Sequence, residues 1–239
     1  MARLARSAAA WSAAVLACTT AAAEDFDPGS VAPPVPQPET DIRFFYLRMP
    51  TSGQETITYT TGGKDQSAPQ PGGRRIGLAF LGREPVGDNG GRYSFGVWTG
   101  FHQMETTESS VRREHWGLMA DVEIGWAQRL KNAPWLDLEA GAFVGLGLAS
   151  VVVNGSHDAN GRPIQPSGTG HSTEYGLRAG LVATRGSWQF GFDGRWMRYQ
   201  HEVSLSNRAD AATGAASVSA KDRLEIRGFT FALMTGFRF

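Results

Sequence analysis

A long alternation of apolar and polar positions lies between Trp116 and Trp126. Every second residue is apolar, and the intervening positions include the carboxylates of Asp121 and Glu123. One face of such a strand requires apolar surroundings, whereas the other accepts charge. About ten residues with a rise of roughly 3.3 Å and a tilt of about 40° cover about 25 Å of hydrocarbon. The pattern therefore predicts a strand of a transmembrane β-barrel, with lipid outside and a polar lumen inside.

The same alternation predicts eight strands along the chain, at residues 42–49, 74–82, 92–104, 113–129, 135–150, 172–184, 188–203 and 222–239. Their connections alternate between short turns and longer polar segments, and the longer ones are 50–73, 105–112, 151–171 and 204–221. An even strand number with alternating connections is typical of bacterial barrels that have periplasmic turns and extracellular loops. The predicted fold is an all-β, eight-stranded, antiparallel up-and-down barrel. Ile57 and Tyr59 are expected to extend the first hairpin above the membrane.

The eighth strand contains a change of phase. Leu224 and Ile226 are apolar at even positions, whereas the apolar residues from Phe229 onward are at odd positions. We expect a β-bulge near residues 227–228, where a glycine would accommodate it. In the alternative, Arg223, Glu225 and Arg227 face outward above the hydrocarbon.

The N-terminus has the pattern of a secretory signal peptide over residues 1–23. Arg3 and Arg6 precede a short apolar stretch, and alanines at 21–23 offer a cleavage site. In the alternative, Cys18 belongs to a lipoprotein box and is lipidated. If the peptide is removed, the chain's one cysteine goes with it, which excludes disulfides and thiol chemistry. Residues 24–40 are rich in proline and predict a periplasmic leader, so the barrel domain is expected over 41–239.

The last strand resembles the C-terminal signature of bacterial outer-membrane barrels. Phe229, Phe231, Leu233, Phe237 and Phe239 alternate up to the final residue, although the usual glycine position is occupied by methionine. The predicted barrel as a whole resembles the eight-stranded family of OmpA-type transmembrane domains and OmpX-type surface proteins. That resemblance implies a cell outer membrane location in a Gram-negative bacterium and a structural or adhesion-type surface role carried by long loops. The partners it implies are membrane lipid and lipopolysaccharide, the barrel-assembly machinery, and a host or surface ligand.

The inward-facing positions are expected to form a network of ion pairs. Eight strands enclose an interior that side chains just fill, and unpaired charges there would be costly. The expected members are Arg75, Arg92, Asp121, Glu123, Asp137, Glu139, Glu174, Arg178, Asp193 and Arg195. This composition predicts a closed lumen with negligible conductance. A small channel or a transporter of hydrophobic solutes is the alternative.

Two sets of outward residues are expected to contact the membrane. Aromatic girdles are predicted from Trp116, Trp126, Trp188, Trp196, Phe237 and Phe239. Arg112 and Arg198 are expected at headgroup height, where a guanidinium pairs well with the phosphates of lipopolysaccharide. Ordinary solvated arginines are the alternative.

A partial resemblance to lipid A deacylase barrels concerns the seventh and eighth strands. That resemblance implies a lipid-modifying enzyme with His201, Ser204, Ser206 and Glu225 as its candidate catalytic residues. The expected serine position is occupied by Val203, and the alternation turns His201 inward, away from lipid. Enzymatic activity is therefore the alternative to a non-enzymatic surface barrel.

Metal, cofactor and nucleic-acid binding are not expected from the sequence. His102 and His115 lie near the outer ends of neighbouring predicted strands, but no spacing typical of a known metal site accompanies them. We expect them to be exposed or capping histidines. The formal net charge of +0 argues against binding of nucleic acid.

Overall fold

The computed structural model describes residues 37–50, 52–61, 65–69, 72–87, 89–108, 110–207, 214 and 217–239. The predicted signal peptide, Cys18 and most of the Pro-rich leader lie outside these ranges. The strands are β1 (Glu39–Arg48), β2 (Gly53–Thr61), β3 (Gln66–Pro69), β4 (Gly72–Val86), β5 (Gly91–Glu108), β6 (Val111–Leu130), β7 (Ala133–Asn154), β8 (Ser156–His157), β9 (Pro163–Ile164), β10 (Ser167–Arg185), β11 (Trp188–Asn207) and β12 (Val218–Arg238). Within the described ranges, no helix has the length and apolar composition needed to cross a bilayer.

Eight of these strands form a closed antiparallel ring. The order around the ring is β1, β4, β5, β6, β7, β10, β11 and β12, and β12 pairs with β1 to complete it. The all-β, eight-stranded barrel predicted from the sequence is confirmed. The first strand begins at Glu39, and the domain boundaries stay a prediction.

The distribution of side chains is inverted relative to a soluble protein. Leu146 is 70% exposed and Ile124 is 69% exposed on the outer wall, whereas Asp41 and Asp193 are 0% exposed inside. Buried charges are rare in soluble proteins, and large apolar patches on their surfaces are rare as well. The outer wall therefore has the chemistry of a lipid-facing surface, and the lumen replaces the usual apolar core.

The strands continue into segments that the sequence predicted as loops. The connection between β5 and β6, expected over 105–112, is a tight turn that contains Ser110 at φ 72°. Strand β7 continues to Asn154, and β11 continues to Asn207. In these parts most outward residues are polar, so the alternation that marks a lipid-facing strand disappears while the hydrogen-bonded ladder continues. The loops are therefore shorter than predicted, and a β-sheet wall takes their place.

The predicted bulge in the last strand is wrong. Strand β12 pairs with β11 without a register shift from Phe237 to Val218. Leu224 and Ile226 are buried in the lumen, and Arg223, Glu225 and Arg227 face outward. The alternative interpretation is correct, because Leu224 and Ile226 belong to an apolar cluster inside the lumen and the strand keeps its phase.

On one side, β12 pairs with two successive strands instead of one, and the wall is interrupted between them. Strand β1 pairs with the lower part of β12, and β2 pairs with the upper part, with residues 49–52 between the two strands. Gly228 faces this interruption with φ +141°, a conformation that L side chains rarely adopt. The backbone N–H of Arg227 donates to the carbonyl of Ser52 at 2.9 Å and keeps the two sides together. The β2–β3 hairpin thus extends the ring above this point.

Candidate functional site

The lumen holds the ion pairs, and the structure places all ten predicted residues inside it. Each is buried in the interior of the ring, with exposures of 6% or less. The guanidinium of Arg75 binds Glu174 with both terminal nitrogens at 2.5 Å, and Asp121 lies 3.6 Å away. Arg195 donates to both carboxylate oxygens of Asp193 at 3.0 and 3.1 Å. Positive and negative groups therefore alternate across the lumen.

Glu139 is the centre of this network. Its two oxygens accept hydrogen bonds from Arg43 at 2.7 and 2.8 Å, and Arg178 donates to one of them at 3.1 Å. Arg83 also donates to this carboxylate. Arg178 extends the network to Glu123, which it contacts with two nitrogens at 2.7 and 2.5 Å. Three guanidiniums thus converge on one buried carboxylate.

Sequence reasoning missed several members of the network at the lower end of the barrel. They are Glu39, Asp41, Arg43, Arg83, Arg129 and Arg238. The four arginines bind Glu39, Asp41, Asp137 or Glu139 through ion pairs of 3.4 Å or less. The first strand is apolar on both faces, so its register could not be read from alternation. Two of its polar residues, Asp41 and Arg43, have the same parity and face inward, which was the available signal.

Aromatic side chains separate charged groups in the middle of the lumen. Trp98 is 1% exposed and lies 4.2 Å from the guanidinium carbon of Arg195, measured to the ring centroid. Phe45 packs edge-on against Trp98 at 5.2 Å. Such cation–π and edge contacts stabilise cations that are removed from water. The middle of the lumen is therefore filled with side chains, as an eight-stranded ring allows.

The upper lumen contains a cluster of histidines. His102, His115 and His201 are 0%, 0% and 4% exposed, so the expectation of exposed or capping histidines is wrong for His102 and His115. Tyr199 Oη lies 3.0 Å from Nε2 of His102 and 3.3 Å from Nδ1 of His201. Alternation along their strands turns these side chains inward. They lie at a height where the lumen still contains polar groups. Proximity across the lumen, which sequence spacing does not show, brings them together.

The candidate catalytic residues are not brought together. His201 faces the lumen, whereas Ser204, Ser206 and Glu225 lie on the outward faces of β11 and β12. Both ring nitrogens of His201 have other partners, because Asp222 Oδ2 lies 2.8 Å from Nε2 and Tyr199 contacts Nδ1. A Ser–His–acid mechanism needs a serine hydroxyl within hydrogen-bond reach of the imidazole. The arrangement of these residues does not provide one.

Arg112 and Arg198 face outward, as expected, but both have carboxylate partners. Arg112 Nε lies 2.8 Å from Glu105 and 3.1 Å from Glu114. Arg198 pairs with Glu225 at 2.9 Å. Such pairs reduce the positive charge offered to a phosphate. Binding of lipopolysaccharide at these arginines stays a prediction.

The predicted girdle residues lie on the outer wall at the two ends of the apolar band. Trp188 contacts the ring of Phe237 at 4.2 Å, beside the exposed Phe239. Trp126 packs edge-on against Tyr93 at 5.2 Å near the short turns. Trp116 and Trp196 face outward on the other side of the band. The apolar wall thus has aromatic borders on both sides.

Comparison with known proteins gives structural likeness without a family assignment. No protein-family model matches the chain, and no curated protein matches it. Among solved structures, the outer membrane protein OprG from Pseudomonas aeruginosa has 12% sequence identity and a TM-score of 0.44, covering 84% of this chain and 95% of that one. Ail, the attachment invasion locus protein of Yersinia pestis, has 15% identity and a TM-score of 0.35, covering 85% of this chain and 100% of that one.

A third similar structure is the toluene transporter TodX of P. putida. It has 6% identity and a TM-score of 0.27, covering 85% of this chain and 90% of that one. Identities and scores this low transfer no activity or ligand to the present chain. The narrower likeness to OmpA-type and OmpX-type barrels stays a prediction.

Proposed function

We propose that this chain is an integral outer-membrane surface protein with a sealed lumen and a structural or adhesion-type role. One observation carries the proposal: a lipid-facing apolar band surrounds a charged, filled interior, and the same strands continue beyond the band as a polar wall. The first part anchors the protein in a bilayer. The second part offers a rigid surface outside it.

The position of the band on β11 separates the membrane part from the outer part. Outward residues from Trp188 to Trp196 are aromatic or glycine, and those from Arg198 to Asn207 are polar. Ten residues at roughly 3.3 Å rise and a tilt of about 40° extend about 25 Å above the band. A hydrogen-bonded wall of this height holds the loops at a fixed position away from the membrane surface.

The outer wall carries charges that pair with one another. Lys221 donates to Glu202 at 3.2 Å, and Arg223 donates to it at 3.1 Å. The hydrogen bond from Lys221 lowers the pKa of Glu202, and the positive charge of Arg223 lowers it further. The carboxylate is therefore ionised at neutral pH. A wall of paired, exposed charges is soluble outside the membrane, which supports the proposed orientation.

The filled lumen favours this role over transport through the barrel. Ion pairs and aromatic groups fill its lower and middle parts, and the histidine cluster lies above them. An apolar cluster fills the top and is formed by Ile57, Ala149, Val151, Val153, Val203, Leu205 and Ala220. An open aqueous path would require displacement of all three layers. The outward orientation of the candidate serines, with His201 inside, likewise favours a surface role over lipid deacylation.

The orientation can be tested by cysteine labelling of intact cells. Asn160 is exposed at the tip between β8 and β9, and Asn132 is exposed in the short turn between β6 and β7. We expect a membrane-impermeant maleimide to label Asn160→Cys in intact cells and to label Asn132→Cys only after the outer membrane is permeabilised. The opposite pattern, or labelling of neither variant after permeabilisation, would contradict the proposal.

The adhesion-type role can be tested on the same tip. Asp158 Oδ1 accepts hydrogen bonds from the backbone N–H groups of Asn160 and Arg162 at 2.8 and 2.9 Å, so this turn has a defined conformation. Cells that display the protein should adhere to host cells or matrix more than cells without it. Replacement of residues 157–163 by a two-residue turn should reduce that adhesion at equal surface density. Equal adhesion of cells with the wild type, cells with the shortened turn and cells without the protein would contradict the adhesion-type role and leave a structural one.

A further inference from the structure

Three ligand-type side chains meet in the upper lumen. His115 of β6, His201 of β11 and Asp222 of β12 each offer a donor atom, and these atoms lie within 4.8 Å of one another. All three residues are buried. Imidazole nitrogen and carboxylate oxygen are donors that Zn²⁺ and other divalent first-row ions accept. We propose that these residues bind a divalent transition-metal ion inside the barrel.

The distances agree with a shared ion. Nε2 of His201 lies 2.8 Å from Oδ2 of Asp222, and Nδ1 of His115 lies 3.9 Å from the same oxygen. Two donors at about 2.0–2.2 Å from a tetrahedral ion are about 3.4 Å apart. The observed separations lie on either side of that value. The His115 donor would have to approach Asp222 by about 0.5 Å, and the His201 donor would have to move away from it by about 0.6 Å, to reach the separation that a tetrahedral ion requires.

Each histidine has an oxygen partner for its second nitrogen. Nε2 of His115 lies 3.3 Å from Oε1 of Glu55, and Nδ1 of His201 lies 3.3 Å from Oη of Tyr199. Metal-bound histidines almost always give the other ring N–H to a carboxylate, a carbonyl or water, which fixes the tautomer and the ring orientation. Glu55 is such a carboxylate, and Tyr199 offers an oxygen in the same position. This leaves Nδ1 of His115 and Nε2 of His201 to face the ion.

Unsatisfied polar atoms in the cluster provide a second, independent argument. Among the described residues, both oxygens of Glu55, both ring nitrogens of His115 and Oδ1 of Asp222 have no hydrogen bond. Buried polar atoms in native proteins nearly always have a partner. The only guanidinium within 4 Å of these carboxylates in the described part of the chain is that of Arg113, at 3.6 Å from Glu55. The two carboxylates thus share one guanidinium, and a metal cation at Asp222 would give the second carboxylate a positive partner.

The surroundings indicate a structural ion rather than a transported one. The apolar cluster described above closes the lumen on the extracellular side of the site, and Tyr199 and Leu224 lie on its other side. An ion enclosed in this way enters while the barrel folds and leaves slowly. Through Glu55 it also ties the β2–β3 hairpin to the opposite wall, since β2 otherwise pairs only with β12 and β3. This inference does not depend on the proposed surface role.

The experiment compares refolding of the full chain in detergent with Zn²⁺ and with a chelator. After removal of loosely held metal, the wild type refolded with Zn²⁺ should retain one zinc per chain and unfold at a higher temperature than the chelator-treated protein. His115→Gln and Asp222→Asn should retain none. Glu55→Gln should retain zinc with an affinity reduced about 10- to 100-fold, as expected for a partner of a ligand. His171→Gln is the matched control, because His171 is an exposed histidine on β10.

Several results would overturn the proposal. These are wild-type protein without stoichiometric zinc, equal loss of zinc in His171→Gln, or full retention in His115→Gln. If the ligand variants fail to fold, the wild type refolded with Co²⁺ decides. The visible absorption of a tetrahedral nitrogen and oxygen site supports the inference, and the spectrum of hydrated Co²⁺ refutes it. Equal unfolding temperatures with and without metal would also contradict a structural ion.

Discussion

Replacement of Glu139 by glutamine tests the energetic role of the lumen network. The substitution keeps the shape of the side chain but removes the charge on which Arg43, Arg83 and Arg178 converge. The amide N–H groups of glutamine would also face the N–H groups of the arginines, so that donors would oppose donors. Loss of one partner from a buried ion pair costs about 3–5 kcal/mol, because the remaining charge stays buried without compensation. We expect Glu139→Gln to reduce the free energy of unfolding by about this amount.

The measurement is urea-dependent unfolding in lipid vesicles, followed by tryptophan fluorescence. Glu202→Gln is the control, because Glu202 also has two cationic partners but lies on the exposed outer wall. Exposed ion pairs often contribute nothing measurable, so the control should unfold like the wild type. A loss for Glu139→Gln no larger than that for Glu202→Gln would refute the argument that the lumen charges stabilise the barrel.

Three further predictions concern the wall and the lumen. Leu146→Arg, in the middle of the lipid-facing band, should lower the free energy of unfolding in vesicles by about 2–4 kcal/mol, whereas Ser204→Arg on the outer wall should leave it unchanged; equal effects would contradict the position of the band. The wild-type protein should show negligible conductance in planar bilayers because its lumen is filled, and large steady steps would contradict a closed barrel. His201→Ala should not change acyl release from lipopolysaccharide relative to the wild type, and a wild-type activity lost in this variant would restore the enzymatic alternative.

Alternation identified the membrane part of the fold because lipid imposes a strong periodic constraint. Positions such as Leu118 and Val122 must be apolar, and Asp121 between them then faces the lumen. The outer wall could not be recognised in this way, since Ser204 and Glu202 face water and carry no apolar signal. The phase change at Leu224 was misinterpreted for a related reason, because an apolar side chain there faces inward. Leu224 packs in an apolar cluster inside the lumen, and the sequence does not distinguish these surroundings from lipid.

The ion network was partly predictable, and the histidine cluster was not. Inward parity alone selects charged residues such as Glu139 and Arg178. Which residues become ion-pair partners across the lumen depends on the stagger between strands. The sequence of a single strand does not show this stagger. His115 and His201 are 86 positions apart in the numbering yet stack with ring centroids 5.3 Å apart. Glu55 was hidden in a segment that was expected to be a loop.

The interruption between β1 and β2 has a mechanical consequence. The ring is closed at its lower end by seven paired positions between β1 and β12, from Asp41 to Leu47, and by two hydrogen bonds between Thr40 and Phe239. In contrast, β11 pairs with β12 from Val218 to Phe237. A tensile load applied at the N-terminus would therefore peel this short length first, leaving the upper hairpin attached. Single-molecule pulling would register two successive rupture events on this side of the molecule.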